Sequence, residues 1–122
     1  MREIKFRGFD VVGDKGWVYG DLVHNQKVTT TGLTPRVMVG GYEVSIKSIG
    51  QFTGLRDKNG KEIYEGDIVQ CADFVYEVIY DDKRFASFVL FRLADAFKHY
   101  FGEAVEAYQC EIIGNVYNNP NF

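Results

Sequence analysis

The sequence predicts a mainly β protein: an N-terminal β-hairpin lobe, a small barrel in the C-terminal half and one short helix. Three observations carry this. Apolar and polar residues alternate with period two through much of the chain, the pattern of half-buried strands. The alternating runs are short, and tight polar turns separate them at Asp57-Lys58-Asn59-Gly60, Glu65-Gly66-Asp67 and Asp81-Asp82-Lys83. That spacing is what a small barrel looks like in sequence. Only residues 93–101 carry helical spacing, with Leu93, Ala96, Phe97, Tyr100 and Phe101 on one stripe and Gly102 placed as a C-terminal cap.

Taken in order, residues 3–7 alternate, putting Ile4 and Phe6 on one face and the charges on the other. Residues 10–16 form a turn, and residues 17–23 return as a strand that closes a first hairpin. Residues 25–41 are polar and Thr-rich, with Pro35 and Gly40-Gly41. They predict a long mobile loop with a short strand over residues 36–39. Residues 43–49 alternate again as a strand. Asn59-Gly60 is the dipeptide favoured where a tight hairpin needs positive φ. Strands follow at residues 68–71, 74–80 and 85–91. The last strand spans residues 110–117, with Gly114 marking a bulge.

Length gives one domain over residues 1–122, with residues 1–60 as the hairpin and loop lobe and 61–122 as the barrel part. Aromatics make up 16% of the chain, and each large ring buries about 150–250 Å². That supplies a core without staples. A net charge of −3 argues against a surface that clings to phosphate everywhere. No apolar stretch approaches the roughly 20 residues that span a bilayer, and the N-terminus lacks the apolar region of a signal peptide. The expectation is a cytoplasmic protein whose Cys71 and Cys110 are reduced, buried and small.

Candidate chemistry is sparse. His24, His99, Cys71 and Cys110 lack the close ligand pairs of zinc sites, so no metal is expected. Glu65 and Asp67 flank Gly66, with Asp81 and Asp82 in a later turn, and could form a hydrolase carboxylate pair. The simpler reading is that such aspartates satisfy backbone N–H groups in Asx turns. No nucleophile elbow and no Gly-rich phosphate loop followed by a helix occurs, and no cofactor is expected. Arg56, Lys58 and Lys61 ring the Asn-Gly hairpin and Lys83-Arg84 tip another, beside Phe52, Tyr64, Tyr80 and Phe85. Cations beside rings are how single-stranded nucleic acid is held. Against this, 17 acidic residues outnumber 14 basic ones. Phe91, Phe97, Tyr100 and Phe101 hold more aromatic surface than a short helix needs to dock; plain core burial is the first reading and a protein or oligomer interface the alternative.

The densest motif runs over residues 49–69, IGQFTGLRDKNGKEIYEGDIV. Together with Arg2-Glu3-Ile4-Lys5-Phe6-Arg7, Tyr19-Gly20-Asp21-Leu22 and Ile113-Gly114-Asn115-Val116-Tyr117-Asn118-Asn119-Pro120, it resembles the YopX family of small bacteriophage and prophage proteins. One departure is Gly8-Phe9, where a small residue followed by Trp would be expected. The resemblance implies a phage or prophage origin and a β-rich fold with an SH3-like barrel in the C-terminal half. It carries no activity over. The sequence thus argues for a non-enzymatic accessory protein that binds protein and forms homo-oligomers. Nucleic-acid binding is the alternative, and a carboxylate-dependent hydrolase is more distant.

Overall fold

A computed structural model describes residues 3–82, 86–101 and 106–120. The chain is mainly β and divides into two compact units, residues 1–51 and 52–122. Unit 1 opens with the expected hairpin, strand β1 (Phe6–Phe9) antiparallel to β2 (Trp17–Gly20), Phe9 facing Trp17. Their rings meet edge to face at 5.4 Å. Asp10 organises the connecting turn. One carboxylate oxygen accepts from the backbone N–H of Val12 and Gly13, the other from Lys15.

Arg7 corrects the expected sidedness of the first strand. It is buried, and its guanidinium lies 4.7 Å from the centre of the Trp17 ring. The delocalised cation is weakly hydrated and stacks on aromatic faces, so it can enter where a lysine would not. Gly8 is required sterically, because a Cβ built there would sit 2.7 Å from Val44 Cβ.

Residues 25–41 are not a loop. Strands β3 (Leu22–Thr29) and β4 (Gly32–Val39) form a long hairpin closed by Thr30-Thr31, and β5 (Tyr42–Glu43) adds to β4 through Gly40-Gly41. The sheet order is β3-β4-β5. Thr and Val favour strands through their β-branched side chains. Pro35 is tolerated because it faces Gln26 where β5 has not yet begun. Gly40 and Gly41 both have positive φ, as a two-residue hairpin loop demands. The strand expected over residues 43–49 is cut short, and Ile46–Ser48 is a 3₁₀ turn. Val18, Val39 and Val44 form the core of unit 1, lined by Phe6, Leu22 and Ile49.

Strand β6 (Gly50–Arg56) starts beside β1 and carries the chain into unit 2, where it pairs with β7 (Glu62–Tyr64). The turn between them has Gly60 at φ +79°, as Asn59-Gly60 predicts. Asp57 pins this turn. Its carboxylate accepts from Asn59 and Lys61 N–H on one side and from Ile112 N–H on the other.

A five-stranded antiparallel sheet follows, with order β11-β10-β9-β8-β12. The strands are β8 (Asp67–Cys71), β9 (Phe74–Asp81), β10 (Ser87–Arg92), β11 (Lys98–Tyr100) and β12 (Cys110–Asn115). The bulge near Gly114 is present as a register shift between Ile112 and Gly114. Among the described residues this sheet is open, ending at β11 and β12 rather than closing into a barrel. Its core joins Ile63, Val69, Tyr76, Val78, Leu90, Ala107 and the two cysteines, with Phe101 and Ile112 against them.

Two further expectations fall here. The helix over residues 93–101 is a turn followed by β11, with Ala96 at φ +62°, a left-handed conformation that no helix interior holds. Gly102, its expected cap, lies outside the described residues. Cys71 and Cys110 are buried as expected but are not free. They form a disulfide, because β8 and β12 place them directly opposite with Cα atoms 4.4 Å apart. The 39 residues between them hide this in the sequence.

Candidate functional site

The residues expected to form a helix instead help build an exposed aromatic and arginine cluster. In strand register, β9 and β10 bring Tyr76 opposite Arg92, and β10 and β11 bring Leu90 opposite His99. Alternation then puts Phe74, Tyr76, Arg92, Phe97 and His99 on one face of the sheet. The Arg92 guanidinium lies 4.6 Å from the ring centre of Phe74 and 5.7 Å from that of Phe97. Asp95 fixes it with two hydrogen bonds, from Nε at 2.8 Å and Nη2 at 2.6 Å. The same carboxylate accepts from Phe97 N–H at 3.2 Å, so one residue anchors both the cation and the ring.

Electrostatics follow the geometry. The Arg92 hydrogen bonds hold the Asp95 carboxyl below its usual range, against the opposing effect of desolvation. Asp95 in turn raises the Arg92 pKa. Phe97 packs on His99 at 4.9 Å, and Tyr76 meets that imidazole edge-on at 6.0 Å. Phe97 and Phe74 stay exposed, at 58% and 44%. The result is a preset patch of two open rings around a clamped arginine.

The four sequence-predicted interface residues separate. Phe97 lies in this patch. Phe91 and Tyr100, paired with Lys98 and Val89, turn to the opposite face and are half-buried. Phe101 packs against the core. Phe74 and Arg92 were missed, although period two from Tyr76 and Leu90 points to them once the strands are in register.

The sequence-predicted basic patch is partly neutralised. Arg56 pairs with Glu62 at 3.4 Å and Lys58 with Glu111 at 3.8 Å. Lys61 is exposed, and its backbone N–H serves Asp57. Lys83 and Arg84 lie outside the described residues. Of the carboxylates, Asp67 is buried and accepts from Tyr64 N–H at 2.7 Å, so it satisfies a local backbone donor across the Glu65-Gly66 turn. Glu77 shifts upward: burial, helped by the Glu65 charge, raises its pKa. Of the four candidate metal ligands, both cysteines are consumed by the disulfide. His24 is on β3 in unit 1, and His99 is on β11 in unit 2.

Unit 1 has an open cleft of about 350 Å³ between the Asp10 turn and the β4–β5 hairpin, lined by Val12, Lys15, Arg36, Met38, Tyr42 and Glu43 among others. Two of its lining charges are engaged within the unit. Glu43 holds Lys27 at 3.0 Å, and Arg36 donates to Asn25 Oδ1 at 2.7 Å.

Taken together, the fold defines an antiparallel β protein that carries an exposed cluster of two aromatic rings around an arginine. The YopX protein family model matches residues 5–122, and the chain belongs to the YopX family. No curated protein matches it. The crystal structure of protein EF1440 from Enterococcus faecalis is similar over 99% of this chain and 98% of that one, with 22% identity and a TM-score of 0.52. That likeness shows the fold alone. No described helix is long and apolar enough to cross a membrane.

Proposed function

We propose that this is a non-enzymatic accessory protein of phage or prophage origin that acts in the cytoplasm by binding protein, its SH3-like half presenting the docking face. One observation carries this reading: the Phe74–Arg92–Phe97 patch, open to solvent yet preset by Asp95. Aromatic and arginine side chains dominate interface hot spots, and a patch already held in one geometry loses little entropy on binding. The Cys71–Cys110 disulfide pulls against a cytoplasmic site, where thiols are kept reduced. Its burial shields it, since thiol exchange needs access to the sulfur.

The nucleic-acid alternative has less support. Arg56 and Lys58 each face a carboxylate, and a phosphate would have to displace it. Affinity capture of the tagged chain from host lysate, with and without nuclease, separates the two readings. A stoichiometric protein that survives nuclease and is lost with Phe74→Ser/Phe97→Ser supports the patch. Recovery of DNA or RNA that vanishes with Arg56→Ala/Lys58→Ala/Lys61→Ala overturns it in favour of nucleic acid.

A further inference from the structure

The β3–β4 hairpin is longer than the core that supports it. Near its base, Val37 and Val39 are buried. Further along the same face, Val28 and Leu33 stand opposite one another at the tip, 83% and 65% exposed. Strand β3 has β4 on one side and, among the described residues, no strand on the other. Exposed edges are ordinarily blunted by proline, bulges or outward lysines. None of these guards β3. It has no proline, its register with β4 is unbroken, and the ammonium of Lys27 is held by Glu43 of the same sheet.

The hydrogen-bond parity of this edge can be worked out. Gly40 N–H donates to Asp21 C=O, at the end of the ladder that places Leu22 opposite Val39. Antiparallel pairs alternate between bonded and non-bonded positions. Val23, Asn25, Lys27 and Thr29 therefore bond to β4, while Leu22, His24, Gln26 and Val28 point both backbone groups off the open edge. Pro35 agrees: opposite Gln26, it sits where β4 donates nothing to β3.

We propose that this edge is an interface with a second copy of the chain, the two β3 strands pairing antiparallel about a two-fold axis at Asn25. A two-fold axis normal to the sheet keeps faces matched, so outward-pointing residues meet outward-pointing residues. In this register Leu22 pairs with Val28 of the second copy and His24 with Gln26. The exposed Val28 then covers Leu22, which lines the partner's valine core, and the apolar tip gains a purpose. The charges are compatible as well, because Lys27 faces Val23 and no like charges are opposed. Centring the axis on His24 would stack two imidazoles instead, and centring it on Gln26 would set Val28 against His24. This surface is in unit 1, and the inference goes beyond the aromatic patch without depending on it.

The test uses the full chain in sedimentation equilibrium over a concentration series. The wild type is expected to be a reversible dimer. Gln26→Pro removes an outward N–H that β4 does not use, so it should keep its melting temperature while weakening the dimer roughly tenfold or more. Asn25→Cys places two thiols at the axis, where Cα atoms about 4.5 Å apart allow a bridge. With no other free cysteine in the chain, mild oxidation should link the copies, whereas Gln26→Cys should not. If Gln26→Pro fails to fold, the cysteine pair decides alone. A monomer at every concentration, an undiminished dimer in folded Gln26→Pro, or no link through Asn25→Cys would overturn the proposal. So would a different protein occupying the edge while the wild type stays monomeric.

Discussion

Unit 1 gathers only three valines into its core cluster and spends much of its chain on a ribbon exposed along most of its length. Unit 2 gathers eight buried residues into its core cluster around a five-stranded sheet, bolts two of its strands with a disulfide and pins a turn to its last strand through Asp57. The difference is one of closure. In unit 2, β9 and β10 each have neighbours on both edges and carry fully buried residues, Val78 and Val89. In unit 1, β3 has no second neighbour among the described residues, and its far end stands beyond the valine core. A two-stranded ribbon is only marginally stable in water. The unit with the open strand is the one in which we propose that a second copy pairs.

The largest expected effect tests whether the staple sustains unit 2. Replacing Cys71 and Cys110 together by Ala should cost about 4 kcal/mol by denaturant titration, the loop-entropy value for closing some 39 residues. Hydrogen exchange on the same variant should show β8 and β12 amides losing protection first, with β1 and β2 little changed. Equal loss in both units would dissolve the contrast drawn above.

Asp57→Ala comes next, at about 3 kcal/mol, because it strands three backbone N–H groups that the carboxylate now satisfies. Its pH dependence has a definite sign. Burial works to raise the Asp57 pKa, but the N–H groups of Ile112, Lys61 and Asn59, with the Lys61 charge, outweigh it and hold it below the ordinary value. A depressed carboxylate contributes stability above its unfolded pKa, and that stability is lost as pH falls through the folded one. Melting temperature against pH should therefore fall less steeply on the acid side in Asp57→Asn than in the wild type.

In unit 1, Gly8→Ala should cost about 2 kcal/mol, since the new methyl meets Val44. Adding Val44→Ala should recover part of that loss, and a strictly additive pair would show that the two residues do not clash. The smallest effect is a gain. Ala72 holds φ +55° in the two-residue turn between β8 and β9. Ala72→Gly should stabilise unit 2 by about 0.5–1 kcal/mol, measured by the same titration.

Turn chemistry read well because it is local. Asn59-Gly60 and Glu65-Gly66 fell where the sequence placed them, since each is set by the positive φ its glycine supplies, and the bulge at Gly114 is present as well. Residues 25–41 misled because polar threonines resemble a loop until their pairing partners are known. Residues 93–101 misled because a short apolar stretch fits either period, and the partner that decided for a strand, β10, is set by long-range pairing. For the same reason the candidate patch was only half legible. Phe97 was visible as an aromatic in excess, but Phe74 joins it from more than twenty residues away in sequence.

By itself the sequence determined the family, the predominance of strands and the positions of the tight turns, because these depend on residue identity and on neighbours a few positions apart. Only the tertiary structure decided that Cys71 meets Cys110, that Arg7 is buried under Trp17, that Arg92 is clamped between two phenylalanines and that β3 is left with an open edge. Each of these depends on strand register. In a sheet a slip of one residue turns every side chain to the other face, and register is fixed by the packing of the whole rather than by any segment of it.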